Sequence, residues 1–353
     1  MPEILSVGEA TAHAARLAQA SFVPFAPSGL ASSMRRVLMN LIMTEFGSHS
    51  AAMNAAMAAA SVGRRVFVPV SVQSVDGFYS ASFQRLPIVA ANISRSLRTH
   101  SAWNDLNDVM ALRDAGWIIF LAETPQEMLD DILMAYKISE DQKVMLPSIV
   151  NMNGFDIRET VDVPSDRKMA GFFSPSKPQK LDFKKAQAFN PPVDDYMEFT
   201  AQQQKSMENA LAVAEKISVK WKEKFGRSYA PAESFMMDDA DYAFVVAGFN
   251  AGTCRETVRK LREQGEKAGM LRIRMLRPFH AAAVLEALKN VKKTAVVDES
   301  ISLGASGILH AEIRHGFACN FIAGLGRRLT EKDFGDIFSH LKKAETPERM
   351  WLL

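Results

Sequence analysis

The chain has 353 residues and a mass of 39.0 kDa, which favours two domains because single hydrophobic cores stop growing at roughly 250 to 300 residues. Hydrophobic residues make up 48% and charged residues 23%, a globular composition that excludes disorder for the bulk of the chain. Lys and Arg number 42 against 40 Asp and Glu, and only residues 177–185 form a basic block, so the composition argues against a nucleic-acid binder.

The cysteine pattern and the apolar runs restrict the class of protein further. Cys254 and Cys319 form no CxxC pair, so this chain alone lacks ligands for a structural zinc or an iron–sulfur cluster. The first residues show no basic segment followed by an apolar one, and no run of about 18 apolar residues occurs. We therefore expect a cytoplasmic, soluble protein that is not inserted in a membrane.

Apolar runs alternate with helical patterns from residue 1 to about residue 160, which is typical of a parallel sheet with helices on both faces. Four short runs rich in β-branched or aromatic residues are the predicted strands. They are residues 65–73, 87–94, 117–123 and 144–151.

A helix is predicted between the last two strands. Thr124 is expected to be its N-cap, Pro125 its first residue, and Glu127 the residue that closes a capping box. Its apolar side chains recur at helical spacing and are expected to lie on the sheet. They are Met128, Ile132, Leu133 and Tyr136.

A long connection separates two halves of the chain. Residues 162–193 mix Pro, Lys, Ser and Gln with little periodicity, and we expect them to wrap over a partner surface. A helix is predicted at residues 198–225. The predicted units are therefore residues 1–160, a linker with a connecting helix at 161–235, and residues 236–353.

The second unit is predicted to be a smaller doubly wound domain with four parallel strands. The strands are expected at residues 242–248, 270–276, 293–299 and 319–325, and the helices to start at Thr253, Ala281, Ile308 and Thr330. The loop at residues 248–252 does not match the dinucleotide motif GxGxxG, and a glycine turn before a helix is more often structural.

One helix, predicted at residues 48–60, is almost devoid of large or charged side chains. Small residues let two backbones approach closely, so we expect this helix to be buried at a tight contact, with the polar residues of its first turn facing whatever lies there. An ordinary packed core helix is an equally open interpretation from composition alone.

Short phrases around this helix follow the order of a known family from Gly8 to Gly326. In the first half they are Gly8-Glu9-Ala10, Pro24-Phe25-Ala26-Pro27-Ser28, Val66-Phe67, Ser71-Val72-Gln73, Leu86-Pro87-Ile88-Val89, Ser94-Arg95-Ser96-Leu97, Asn104-Asp105 with Asp108, Arg113-Asp114-Ala115-Gly116-Trp117 and Gln126-Glu127. In the second half they are Phe225-Gly226-Arg227-Ser228-Tyr229, Asp239-Ala240, Leu261-Arg262, Gly265-Glu266-Lys267, Arg277-Pro278-Phe279 and Ala323-Gly324-Leu325-Gly326. The chain thus resembles the α subunit of the thiamine-diphosphate-dependent 2-oxoacid:ferredoxin (or acceptor) oxidoreductases, whose best-known member acts on pyruvate.

The resemblance implies an α/β fold of two doubly wound parallel-sheet domains, a thiamine pyrimidine-binding domain followed by a transketolase C-terminal-like domain. It implies oxidative decarboxylation of a 2-oxo acid to an acyl-CoA, with CoA as co-substrate. Thiamine diphosphate would be shared with a beta subunit that binds the diphosphate. Magnesium and the 4Fe-4S clusters would lie on partner chains, namely the beta, gamma and delta-type subunits.

The resemblance also implies the cofactor residues. The family's glutamate, which protonates the aminopyrimidine, corresponds here to His49, and Ser48 and Ser71 are expected beside the cofactor. A buried imidazole tends to be neutral and is a weaker proton donor than a carboxylic acid. Three interpretations of His49 remain open: a poor substitute for the glutamate, an imidazolium paired with an acid, or only a polar residue at a helix start. Glu45 could reach the cofactor instead if the helix begins at a different residue.

The substrate residues implied by the resemblance are Arg95, Phe25, Ala26 and Ser28. Arginine can clamp a 2-oxo acid carboxylate with two parallel hydrogen bonds, although a surface arginine is the alternative for Arg95. Ala26 replaces a family threonine, which removes a hydroxyl and favours a bulkier or aromatic 2-oxo acid. His100 and Trp103 could line the same pocket.

Four further residues remain open. Asp108 and Arg113 could form a structural ion pair or act at the site, and Asp298-Glu299 replaces the family's Asp-Arg, for which we expect only a changed contact with a partner chain. The lost glutamate and threonine also permit a second function, that of a degenerate non-catalytic scaffold subunit of such a complex. A free-standing small-molecule binder has the least support.

Overall fold

Two large mixed sheets flanked by helices and two separate two-stranded sheets make up the described part of the protein in the computed structural model. The structure describes residues 2–35, 37–38, 42–72, 75–96, 104–154, 157–173, 195–313 and 316–353. In this part of the chain, no helix combines the length and the hydropathy that crossing a membrane requires.

The first half begins with strands and helices in alternation. They are β1 (Pro2–Ser6), α1 (Val7–Leu17), β2 (Val23–Phe25), α2 (Gly29–Arg35), β3 (Met43–Glu45), α3 (His49–Ser61), β4 (Phe67–Val70), α4 (Asp76–Phe83), β5 (Val89–Ile93), α5 (Asn107–Met110), β6 (Ile118–Ala122), α6 (Pro125–Ser139), β7 (Ser148–Met152), β8 (Arg158–Asp162), α7 (Asp166–Met169) and α8 (Tyr196–Phe225). All four predicted strands are confirmed as β4, β5, β6 and β7.

The first sheet contains four neighbouring parallel strands in the order β4, β5, β7 and β6. Every residue of β4, β6 and β7 is buried, as is typical of a parallel sheet that helices cover on both faces. Strands β2 and β3 form a separate parallel pair. The pair continues the same array, since Phe22 bridges Val66 in parallel and the Phe67 N–H donates to the Phe22 carbonyl at 3.1 Å.

The predicted start of α6 is confirmed in part. The Thr124 hydroxyl accepts from the Glu127 N–H at 3.1 Å and Pro125 is the first helical residue. The capping box is wrong, however, because the Glu127 carboxylate accepts from the Glu123 N–H at 2.9 Å and binds Arg272 instead of returning to the N-cap. The four predicted apolar side chains of α6 are all buried.

The predicted connecting helix is confirmed as α8, and it packs on the first half of the chain. Trp221 is fully buried and its indole N–H donates to Asp130 on α6 at 3.3 Å. The basic block and most of the predicted connection, residues 174–193, lie outside the described residues.

The second half forms a six-stranded sheet. Its elements are β9 (Ala232–Phe235), β10 (Tyr242–Ala247), α9 (Ala251–Glu263), β11 (Ala268–Ile273), β12 (Met275–Arg277), α10 (Ala281–Leu288), β13 (Lys293–Asp298), α11 (Ile308–Glu312), β14 (Ala318–Ile322), α12 (Glu331–Lys343) and β15 (Arg349–Trp351). The strand order is β15-β14-β13-β10-β11-β9, with only β9 antiparallel. The prediction of four strands was wrong because the short edge strands β9 and β15 carry too little apolar pattern to be recognised.

One predicted strand belongs to both sheets. Residues 270–276 divide into β11, which lies in the second sheet, and β12, which pairs antiparallel with β6 at the edge of the first. The chain therefore links the two sheets through continuous backbone at this point.

Buried arginines on β11 and after it join the two halves. The Arg272 guanidinium binds both oxygens of Glu127, at 2.8 and 2.5 Å, and the Arg274 Nη2 binds both oxygens of Asp131, at 2.8 and 2.9 Å. Burial raises the pKa of the Glu127 carboxyl, but Arg274 and Arg272 outweigh it and lower that pKa to about 2. The ion pairs thus fix α6 against the second sheet in a charged state.

Replacing Arg274 by Met should destabilise the protein by about 3 to 5 kcal/mol, because Asp131 would stay buried without its partner. The free energy of unfolding from urea denaturation measures the change. Arg259→Met is the control, since Arg259 pairs with Glu256 on the exposed surface of α9 and should cost about 0.5 kcal/mol or less. Equal effects of the two substitutions would contradict this role of Arg274.

Candidate functional site

The parallel array brings the predicted site residues to one edge. Strands β3, β2, β4 and β5 are neighbours in that order and run in the same direction, so their carboxyl ends meet on the same side. Each predicted residue ends one of these strands or follows it. They are Ser48 and His49 after β3, Phe25, Ala26 and Ser28 at the end of β2, Ser71 after β4, and Arg95 after β5.

The first turn of α3 presents His49. Ser48 is the N-cap, and its hydroxyl accepts from the Ala51 N–H at 3.1 Å. His49 is half-buried, and its Nδ1 is buried without a hydrogen-bond partner among the residues that the structure describes. Burial lowers the pKa of the imidazole, so the ring is neutral near pH 7 and can donate one hydrogen bond and accept another.

In the part of the chain that the structure describes, helix α3 packs on one face. Ala52, Met53, Ala56 and Ala60 are buried, whereas the opposite face, which includes Asn54, is exposed. The tight contact expected from the small residues lies on the buried face, where a Cβ added to Gly77 of α4 would come within 2.7 Å of Met53 Cγ. The core interpretation thus holds for the buried face of the helix, whereas several residues of the opposite face are exposed.

Glu45 does not replace the missing glutamate. The helix begins at His49, so the condition for Glu45 to reach in is not met, and its carboxylate instead pairs with Arg35 on α2. The Arg35 guanidinium lies 4.7 Å above the centre of the Phe25 ring. Glu45 and Arg35 together cover Phe25.

The end of β2 is buried at Phe25 and Ala26, which are 2% and 3% exposed. Ser28 is half-buried, and its hydroxyl accepts from the Ala31 N–H at 3.2 Å at the start of α2. Helix α2 can lie close to α1 because Gly8 has no side chain, and a Cβ there would stand 2.4 Å from Ser33 Cβ. The Gly8 phrase of the sequence therefore helps to place Ser28.

Arg95 reaches from the end of β5 towards the start of α2. Its side chain is exposed, and Nη2 lies 3.5 Å from the position that a Cβ on Gly29 would take. Its backbone N–H donates to Asp108 at 3.2 Å. The structure thus brings Arg95 beside the residue that follows Ser28.

Asp108 and Arg113 do not pair with each other, so the ion-pair alternative left open for them does not hold. Arg113 lies 3.5 Å from Asp114 and donates to the Met110 carbonyl, while Asp108 is surrounded by neutral donors. His100 and Trp103, as well as Gln73 and Leu97 of the family phrases, lie outside the described residues.

The glycine loop before α9 is an internal contact. A Cβ on Gly248, whose φ is 66°, would stand 2.4 Å from the Asn153 side chain, and one on Gly252 would stand 2.9 Å from the Glu123 carboxylate. Glu123 also pairs with Arg255 of α9 at 2.8 and 3.0 Å. A carboxylate of the first half therefore occupies the start of this helix, which confirms the structural interpretation of the loop.

Asp298 and Glu299 are buried and bind residues of this chain. Asp298 accepts from the N–H groups of Leu309 and His310 at 2.7 and 3.0 Å and so holds the start of α11. Glu299 accepts from Asn153 Nδ2 at 2.5 Å, and burial raises the pKa of its carboxyl to about 8. A carboxyl that is neutral at pH 7 can be buried between the two halves without a positively charged partner. The replacement of the family's arginine by Glu299 did not by itself predict this arrangement.

Two family models match the chain. The model described as pyruvate flavodoxin/ferredoxin oxidoreductase, thiamine diphosphate-binding, covers residues 28–223, and that of the pyruvate:ferredoxin oxidoreductase core domain II covers residues 240–333.

Curated relatives match nearly the whole chain. Pyruvate synthase subunit PorA of Methanothermobacter thermautotrophicus is 34% identical over 98% of this chain and 96% of its own length. Ketoisovalerate oxidoreductase subunit VorA of Pyrococcus horikoshii is 33% identical over 84% of this chain and 80% of its own length.

A solved structure shares the fold. The 2-oxoglutarate:ferredoxin oxidoreductase from Magnetococcus marinus, with 2-oxoglutarate, coenzyme A and succinyl-CoA bound, superposes with a TM-score of 0.74 at 13% identity. The match covers 96% of this chain and 65% of that one, so this chain spans somewhat less than two thirds of it. The two α/β sheets are thus those of a known architecture.

Proposed function

This chain belongs to the pyruvate flavodoxin/ferredoxin oxidoreductase family, and from that premise we propose that it is the alpha subunit of a multi-subunit 2-oxoacid oxidoreductase. The reaction is the oxidative decarboxylation of a 2-oxo acid with thiamine diphosphate. The single observation that carries this proposal beyond family membership is the meeting of seven predicted site residues at one edge of a parallel array.

The edge fits the pyrimidine end of thiamine diphosphate. The buried Nδ1 of His49 has no partner among the described residues, so it can exchange one hydrogen bond with a heterocycle. Ser48 and Ser71 lie after neighbouring strands and offer further hydroxyl groups. Thiamine diphosphate, when bound, supplies the carbon nucleophile and the electron sink that decarboxylation of a 2-oxo acid requires.

Arg95 is proposed to bind the carboxylate of the 2-oxo acid. Its exposed guanidinium beside Gly29 can form two parallel charge-assisted hydrogen bonds, which a lysine cannot reproduce. Ser28 adjoins Gly29, and Phe25 and Ala26 are buried beneath this edge. We propose that the polar end of the substrate binds Arg95 and that its apolar part lies towards β2.

The finer properties of the complex are proposed from the relatives. We propose an acyl-CoA product, with electrons leaving through 4Fe-4S clusters on gamma and delta-type subunits, and a beta subunit that holds the diphosphate and magnesium, all in the cytoplasm. The names of the relatives as enzyme subunits support such partners. We also keep residues 1–160, 161–235 and 236–353 as the proposed units, and the two family models support a boundary between residues 223 and 240.

A neutral His49 favours one alternative function, a non-catalytic scaffold subunit. Neutral imidazole is a poor proton donor, and loss of a general acid costs on the order of 10² to 10⁴ in rate. The role of His49 therefore distinguishes the two functions. If His49 contacts the cofactor, this subunit belongs to a slow enzyme; if it does not, the complex performs the reaction at another site.

His49→Glu should raise kcat of the assembled complex by about 10²-fold, because it supplies the carboxylic acid that the pyrimidine needs. His49→Ala should weaken thiamine diphosphate binding by about 3- to 10-fold, the value of one hydrogen bond. Steady-state kinetics and calorimetric titration measure the two effects. Ser50→Ala, on the exposed side of the same turn, is the control that should change neither. Unchanged activity and affinity in both His49 variants would favour the scaffold.

The complex should prefer phenylglyoxylate to pyruvate by about tenfold in kcat/KM, because Ala26 leaves apolar room and offers no hydroxyl. Ala26→Thr should reverse that preference. Ala26→Ser separates the two causes, since it restores the donor with less volume. A strong preference of the unmodified complex for pyruvate would overturn the assignment of Ala26.

A further inference from the structure

A buried polar cluster lies directly below Arg95. It consists of Asn92 and Ser94 at the end of β5, Asp108 on α5 and Asn151 on β7, and each of the four is at most 3% exposed. Neither the catalytic role proposed for the edge nor the resemblance assigns a task to this cluster.

Four donors converge on the Asp108 carboxylate. Oδ1 accepts from the Ser94 hydroxyl and the Val109 N–H, both at 2.6 Å. Oδ2 accepts from Asn92 Nδ2 at 2.9 Å and from the Arg95 N–H at 3.2 Å. Burial raises the pKa of this carboxyl, and the four hydrogen bonds oppose that change because each of them favours the ionised form.

The cluster is also tied to the centre of the sheet. Asn92 Nδ2 lies 2.7 Å and Ser94 Oγ 2.9 Å from Asn151 Oδ1 on the neighbouring strand β7. The backbone that leaves β5 is thus held from α5 and from β7 up to Arg95. The Arg95 side chain, which leaves this anchored backbone, is exposed.

We propose that Asp108 is a positioning residue for substrate binding, which directs the Arg95 guanidinium to the start of α2, where it binds the 2-oxo acid carboxylate. The inference rests on the proposed role of Arg95 in the preceding subsection. A displacement of about 1 Å in such a clamp is enough to weaken the interactions of the bound substrate strongly.

Asparagine cannot replace Asp108 in this task. The short bond from the Val109 N–H requires an acceptor at the Oδ1 position, so the amide nitrogen of Asn would occupy the Oδ2 position. At the Oδ2 position, the amide nitrogen is a donor and would face another donor, the Arg95 backbone N–H. The substitution therefore breaks the anchor of Arg95 and keeps the volume of the side chain.

The experiment is a double-mutant cycle in the assembled complex. Asp108→Asn should raise KM for the 2-oxo acid about tenfold and leave kcat and thiamine diphosphate affinity within twofold. Arg95→Ala should raise KM more strongly, and adding Asp108→Asn to it should change KM no further, because the residue to be positioned is gone. Additive effects in the double variant would show a merely structural role and overturn the proposal.

Asp130→Asn is the matched control. Asp130 is also a fully buried carboxyl that accepts from Trp221 and Tyr229, and it differs from Asp108 in its ion pair with Arg227 at 2.5 Å. None of these partners is a proposed site residue. It should lower the unfolding midpoint and leave KM unchanged. An equal rise of KM in Asp130→Asn would overturn the inference.

The outcomes separate this inference from the proposed function. If Arg95→Ala raises KM and Asp108→Asn does not, Asp108 has no positioning role although the substrate site stands. If Arg95→Ala leaves KM unchanged, the substrate site itself fails, and the inference with it. If the Asp108→Asn complex does not assemble, Ser94→Ala replaces it in the cycle. We expect Ser94→Ala to raise KM about threefold on its own and to cause no further rise in the Arg95→Ala background. Additive effects of Ser94→Ala and Arg95→Ala would contradict the proposal.

Discussion

The parallel order β3-β2-β4-β5 is the constraint on which the site depends. Side chains that are distant in the sequence, from Phe25 to Arg95, meet only because these strands are neighbours and end on the same side. Strands lie about 4.8 Å apart, so the strands before His49 and Arg95 are separated by roughly 14 Å. The Arg95 side chain extends towards Gly29, so its guanidinium lies nearer to β2 than the end of β5 does. Asp108 binds the backbone N–H of Arg95.

The second sheet supports this edge from one side. The Arg272 and Arg274 ion pairs lock α6, β12 extends the first sheet, and a neutral Glu299 contacts Asn153 after β7. The two carboxyls differ in the cause of their pKa shifts. Arg274 and Arg272 lower the pKa of Glu127, whereas burial raises the pKa of Glu299 to about 8. Among the described residues near the carboxyl end of β5, Asn92 and Ser94 are buried, whereas Arg95 is exposed.

The sequence predicts the central strands and the long helices because their apolar patterns are strong, as in β6 and α8. It misses edge strands such as β15, whose few residues are half exposed and carry no clear pattern. The order of family phrases predicts which residues meet at the edge, but it does not reveal the Asp108 cluster. The available signal was weak: Asn92 and Ser94 are polar residues at the end of an otherwise apolar strand. The partners of Asp298 and Glu299 depend on contacts between distant segments, which no local pattern contains.

The most direct test of the account is a cryo-electron microscopy map of the assembled complex with thiamine diphosphate. We predict the pyrimidine ring at the first turn of α3, with a ring nitrogen or amino group about 3 Å from His49 Nδ1. A map in which side chains of a partner fill that turn, with the cofactor bound elsewhere, would contradict it.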